Sequence, residues 1–258
     1  METDVEAIRQ SALALLNCKI EPNPTFPFLC THPFTNAPFA ALDNKLLDLT
    51  KPTETLRWRT AMRSVIQKKN AQGIFLLMNP PYRLFFLNLI RSVLSDNDFG
   101  ELFRAFWPSV EQINGDKNLT RRSIIRLLQS VPKDCLMDKE CFLAYQQLPQ
   151  VFSVYRGVTP YNESRHRAIS WTSDIDIAQW FATRYGEHGT IWRANVKKQW
   201  VLALLEGKEH EILIDIPKGM PVMNIDPCDP EQINICKNLS TECPSYQENW
   251  CELSVKCF

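Results

Sequence analysis

Apolar residues in the first half of the chain recur at helical spacing, whereas those of the second half come in short β-branched or aromatic runs. Asp4 stands before a segment in which Val5, Ile8, Ala12 and Leu15 fall on one face, which predicts a capped amphipathic helix. Thr53 precedes Leu56, Met62, Val65 and Ile66, and Thr120 precedes Ile124, Ile125, Leu127 and Leu128; each set predicts a helix with the threonine as its cap. Residues 134–148 complete the helical half. Pro22, Pro24, Pro27, Pro33 and Pro38 impose loop or extended chain between the first two helices, because proline has no N–H to give to a helix. The most apolar stretch, Ile74 to Ile90, is broken by Asn79, Pro80, Pro81 and Arg83. It predicts a buried strand or helix end, a Pro-Pro break and a second buried helix, and is too interrupted to cross a bilayer as one helix.

Past Pro149 the texture changes. Val151–Val158, Thr190–Val196, Trp200–Leu205 and Glu209–Ile216 read as strands separated by charged or glycine-containing turns. Asp174–Tyr185 alone among them reads as a helix, with Ile177, Ala178, Phe181 and Tyr185 on its apolar side. The pattern as a whole is α+β, with a boundary of organisation near residue 149.

Composition adds exclusions. The 258 residues carry 29 basic and 29 acidic side chains and are 45% hydrophobic, which describes one large or two small globular domains. Zero net charge argues against retention on nucleic acid or membrane by bulk electrostatics. Residues 1–150 hold 18 basic and 15 acidic side chains, and residues 151–258 hold 11 and 14, so the halves differ mildly in sign. Arg57, Arg59 and Arg63, and Arg121, Arg122 and Arg126, read as solvated helix faces. Only 8 glycines are present and no G-x-G-x-x-G or G-K-[ST] string occurs, which disfavours a phosphate-cradling glycine loop. Met1-Glu2-Thr3-Asp4 lacks the basic start of a secretory leader, so a reducing, cytoplasmic setting is expected for the nine cysteines. Cys228, Cys236, Cys243, Cys251 and Cys257 contain no C-x-x-C pair. His32, His166, His188 and His210 are scattered, and no metal is expected.

Glu209-His210-Glu211-Ile212-Leu213-Ile214-Asp215-Ile216 places two carboxylates on one face of a predicted strand, with His210, Ile212, Ile214 and Ile216 on the core side. Upstream, Val154-Tyr155-Arg156-Gly157 ends a strand on an arginine. Ser170-Trp171-Thr172 follows, then Ala178 and Trp180-Phe181-Ala182 on the helix. This ordered set of Arg, Ser-x-Thr and Glu-x-Glu, over roughly residues 150–222, resembles the Arg-Ser-Glu class of ADP-ribosyltransferases, which includes bacterial toxins and phage-encoded enzymes.

The resemblance implies a fold and a chemistry. The fold is a helical N-terminal region, residues 1–133, for target recognition or regulation, and a catalytic domain, residues 134–258, with a core of two small sheets and flanking helices. The substrate is NAD+, and no metal takes part. Glu211 is the implied catalytic carboxylate, held against the oxocarbenium-like cation that forms when nicotinamide leaves. Arg156 is the implied phosphate ligand, with Tyr155 and Gly157 beside it. Ser170 steadies Glu211 and the nicotinamide ribose, and Thr172 supports the strand end. Trp171, Trp180, Phe181 and Tyr185 are the candidates for the aromatic stacked on nicotinamide, and Pro160–Ile169, with Arg165, His166 and Arg167, lies where the family contacts adenosine. Glu209 orients or deprotonates the nucleophile, and the Glu-x-Glu form favours a protein arginine as acceptor.

The function so implied is mono-ADP-ribosylation by a bacterial effector or toxin. It could act in the cytoplasm or be delivered into a host cell without a cleavable signal, and an antitoxin, immunity or activator protein is a possible partner. RNA or DNA bases are the alternative acceptors, and a silent binding module on the same fold is the second alternative.

Overall fold

The computed structural model describes residues 1–109, 118–186, 188–207 and 209–241, without the side chains of Ser164, Arg165, Tyr185 and residues 238–241. Helices combine with a six-stranded antiparallel sheet, an α+β architecture, and the chain divides into two compact units, Met1–Thr120 and Arg121–Phe258. Cys243, Cys251 and Cys257 lie outside the described residues.

In the first unit, α1 (Val5–Leu16) starts on Asp4, whose carboxylate accepts from Ala7 N at 2.9 Å, as its sequence predicts. Its buried face is Ile8, Ala12, Leu13 and Leu16, one residue out of step with the predicted stripe at its end. The proline-rich passage contains β1 (Glu21–Pro22) paired with β2 (Cys30–Thr31), then β3 (Phe39–Leu42) paired with β4 (Lys45–Asp48). Asp43 and Asn44 join β3 to β4 with φ of 49° and 58°, the two successive left-handed residues that a tight hairpin demands.

Helix α2 (Pro52–Ile66) corrects the Thr53 cap. Lys51 is its N-cap, without a side-chain cap bond, and Pro52 occupies the first turn, where a missing N–H costs nothing. It buries Trp58 and Ile66, while Leu56 of the predicted stripe is 67% exposed. Ile74–Ile90 resolves into α3 (Ala71–Leu77) and α4 (Pro80–Leu89), two helices as expected, but the break falls at Met78–Asn79 and Pro80 and Pro81 form the first turn of α4. Helix α5 (Asp96–Phe106) is capped by Ser95, whose hydroxyl accepts from Asp98 N at 3.1 Å. The core is aromatic. Phe75 stacks on Phe106 at 5.1 Å and meets Phe86 at 5.2 Å, and Phe103 meets Trp107 at 5.0 Å. No helix among the described residues is long and apolar enough to cross a membrane.

The second unit opens with α6 (Arg121–Gln129), whose Ile124, Ile125, Leu127 and Leu128 are all buried as predicted. Helices α7 (Lys133–Leu136) and α8 (Lys139–Gln147) follow, and Asp138 caps α8 by accepting from Cys141 N at 2.7 Å. Then come β5 (Val151–Val158), β6 (Ser170–Thr172), α9 (Ile175–Thr183), β7 (Thr190–Lys197), β8 (Val201–Leu205), β9 (Glu211–Ile214), β10 (Met223–Ile225) and α10 (Pro230–Thr241). Because α6, α7 and α8 all contact β8, the unit begins at Arg121, ahead of the expected boundary at residue 134.

Sheet order is β10-β7-β5-β6-β9-β8. β5 and β7 pair over their whole length, from Val151↔Lys197 to Val158↔Thr190, but β5 and β6 share only Tyr155↔Thr172. The sheet therefore consists of two three-stranded halves joined at one residue pair, where the resemblance implies two small sheets. Helix α9 covers the first half. Its N-cap, Asp174, accepts from Asp176 N at 2.8 Å, and its Ala178 and Ala182 are fully buried.

Candidate functional site

Gly157 explains the small residues of α9. A Cβ at Gly157 would lie 1.9 Å from Ala178 O and 2.7 Å from Ala182 N, and one at Gly189 would lie 2.0 Å from Val158 O and 2.4 Å from Ala182 O. Strand and helix backbones are therefore in direct contact, which only glycine on one side and alanine on the other permits. Gly157, expected beside the cofactor, serves this packing. Tyr155 shares that face: its ring is wholly buried with Ile175, Ile191, Ile225 and Ile233, and its hydroxyl donates to Cys236 O at 3.3 Å. The tyrosine expected at the cofactor is thus a core residue with a satisfied polar end.

Arg156 leaves β5 on the opposite face, since neighbouring side chains alternate across a strand. Its Nη1 donates to Ser170 O on β6, and its Nε is buried without an acceptor among the described residues. Burial pushes its pKa down to about 10, with Glu211 acting against that shift and Arg184 adding to it. At neutral pH the guanidinium stays charged.

β6 and β9 bring the other motif residues to the same seam. Thr172 lies opposite Tyr155 on one side and Glu211 on the other, and Ser170 lies opposite Leu213. Arg156, Ser170, Thr172 and Glu211, separated by up to 55 positions in sequence, therefore come from three adjacent strands. Ser170 and Glu211 are half-buried. Thr172 is buried, and its hydroxyl accepts from Asp174 N at 3.1 Å, which ties the end of β6 to the start of α9. Trp171 points into the core at 2% exposure and donates its indole N–H to Ala168 O at 2.8 Å, so its ring is not presented to a ligand.

The predicted strand Glu209–Ile216 is corrected. β9 starts at Glu211, and His210 adopts φ 44°. A left-handed residue between them breaks the alternation, so Glu209 and Glu211 do not project as strand neighbours. Glu209 is exposed in the turn ahead of β9 and Glu211 is half-buried at the strand's first position. His210 is half-buried too, and burial lowers its pKa while Asp174 opposes that shift. Ile212, Leu213 and Ile214 are all buried, so β9 is covered on both faces and lacks the polar side its sequence suggests.

Phe181 is half-buried with its Cβ over Gly157, and its ring meets Trp180 edge-on at 4.9 Å and the Arg184 guanidinium at 5.1 Å. Trp180 is 61% exposed. The side chains of Tyr185 and Arg165 lie outside the described residues. Two residues that sequence reasoning passed over belong to this surroundings. Arg184 acts electrostatically on Arg156, and Trp192 is its partner across β7. Strand alternation puts Trp192 on a definite face of β7, but only the β5–β7 register sets it opposite Arg156.

Among the described residues no group of three or more His, Cys, Asp or Glu side chains is placed to hold a metal ion. Compared with protein-family models, curated proteins and solved structures, the chain matches none of them.

Proposed function

We propose that the chain is an NAD+-dependent mono-ADP-ribosyltransferase that modifies a macromolecular acceptor, an arginine side chain of a protein. The observation that carries this reading is the charged, half-buried Arg156, its Nε buried, held on Ser170 O beside Glu211 at a seam of three strands. The two-halved sheet with α9 against one half is compatible with the two-sheet core of that enzyme class. A guanidinium in a poorly hydrated position favours a bound anion, and it matches phosphate oxygens better than an ammonium does.

The chemistry assigned to these residues is a substitution at the anomeric carbon. The bond between nicotinamide N1 and ribose C1′ breaks with its electron pair going to nicotinamide, and a bond from the acceptor nitrogen to C1′ forms. Glu211, as the fixed anion, stabilises the cation between those events. The acceptor's proton passes to a carboxylate or to water, and Glu209, being exposed ahead of β9, is the group that can meet an incoming acceptor from solvent. Water attacking the same cation gives NAD+ hydrolysis as a side reaction.

The test is labelled NAD+ with the full chain and a whole lysate, followed by separate protease and nuclease digestion. Protease-sensitive label supports a protein acceptor, and nuclease-sensitive label moves the acceptor to RNA or DNA. Glu211→Gln is expected to lower both transfer and hydrolysis by at least about 10³-fold, whereas Glu209→Gln loses transfer and keeps part of the hydrolysis. Full transfer by Glu211→Gln refutes the assignment.

A further inference from the structure

Arg156 on β5 and Trp192 on β7 are direct cross-strand partners. Their side chains leave the same face of the sheet from backbones about 5 Å apart. Each ends in a buried N–H that has no acceptor among the described residues, Nε in Arg156 and Nε1 in Trp192. Buried donors are normally matched, because leaving one unmade forfeits its hydration without return. Trp171 in the same sheet follows that rule with its bond to Ala168 O. Two neighbouring exceptions on one face therefore call for an acceptor from outside the chain.

The indole is held for that purpose. His166, at the end of the 160–165 turn, stacks on Trp192 with ring centroids 4.3 Å apart and planes within 22°. The imidazole Nδ1 lies 3.1 Å from Glu163 O, which fixes the ring to its own turn. One face of the indole is thus occupied, the ring plane is set, and the N–H edge remains to be used. Arg156 keeps its positive charge beside that edge.

We infer that Trp192 is a second anion-binding donor, and that its indole N–H and the Arg156 guanidinium together take one phosphate of a nucleoside diphosphate, with His166 positioning the ring. The inference rests on the NAD+ reading for the identity of the dinucleotide, but the donor pair recognises the phosphate whatever base is attached.

The test reads the indole N–H directly by ¹H–¹⁵N spectroscopy of the full chain, with the Trp192 resonance identified by its loss in Trp192→Phe. Should that variant not fold, His166→Ala identifies the resonance by removing the ring stacked on it. Saturating ADP-ribose and inorganic pyrophosphate are each expected to shift this resonance downfield, and adenosine to leave it in place. Trp192→Phe, which keeps the ring and deletes the donor, is expected to bind ADP-ribose about tenfold more weakly. A Trp192 resonance unmoved by bound ADP-ribose overturns the inference and leaves the NAD+ reading standing. Failure of the wild-type chain to bind NAD+ or ADP-ribose ends the NAD+ reading, and a shift caused by pyrophosphate alone still upholds the anion site. No shift with any of the three overturns it.

Discussion

His32 in the first unit and Arg156 in the second are both desolvated bases, and burial treats the two alike with opposite results. In the first unit His32 is buried at 1% exposure, its ring 5.5 Å from that of Trp58, with Nδ1 accepting from Phe34 N at 3.1 Å. Burial pushes its pKa down to about 4, helped by Arg59. In the second unit burial pushes Arg156 down to about 10. Both bases pay for lost hydration, yet His32 crosses neutrality and becomes an uncharged packing element, while Arg156 starts high enough to keep its charge. A charge retained against desolvation is available to an anion, whereas a charge surrendered is not.

Removing the retained charge should have the largest functional effect. Arg156→Met is expected to cut NAD+-dependent transfer by at least about 10³-fold, and its urea midpoint should fall less than that of the packing variant described next. A variant that stays active breaks the contrast with His32. Gly157→Ala should have the largest effect on stability, about 3 kcal/mol or more, because the new methyl collides with the α9 backbone at Ala178 and Ala182. Gly219→Ala, with nothing within 4 Å of its Cβ, should stay within about 0.5 kcal/mol in the same urea titration.

The pH dependence of His32 sharpens the comparison from the other side. Its folded pKa lies below its ordinary value, so its contribution is complete above about pH 6.5 and is lost as pH falls toward about 4. About 3 kcal/mol should disappear over that window in urea midpoints. His32→Asn, which keeps an acceptor for Phe34 N, should be less stable at pH 7 and show a flatter profile. The smallest effects belong to the helix caps. Asp4→Ala and Asp174→Ala should each cost about 1 kcal/mol, one in each unit. A clearly larger loss for Asp174→Ala would mark the interaction of its carboxylate with His210 as more than a cap.

Local physics was legible in the sequence wherever one segment decides its own form. β5 spans the predicted Val151–Val158, α6 buries the four predicted apolar residues, and Asp4 caps α1. Where two local signals compete, the sequence is harder to read. Thr53 has the character of a cap, but Pro52 already begins α2, and the Asp43-Asn44 hairpin follows directly on a run of prolines. Other features depend on partners far along the chain. Alternation in Glu209–Ile216 assumes an extended His210, and its left-handed backbone is not written in its side chain. Tyr155 and Arg156 are adjacent in sequence, and strand geometry alone sends one to the core and the other to the seam. β10 and α10 carry too weak a pattern to be read without β7 and α9 beside them.

The single pair Tyr155↔Thr172 has a mechanical consequence. A sheet is stiff along lines crossed by many ladder bonds and compliant where few cross, so the boundary between β5 and β6 is the natural fold line of this sheet. The Arg156 guanidinium spans that line to reach Ser170 O, and acts there as a rivet between two plates.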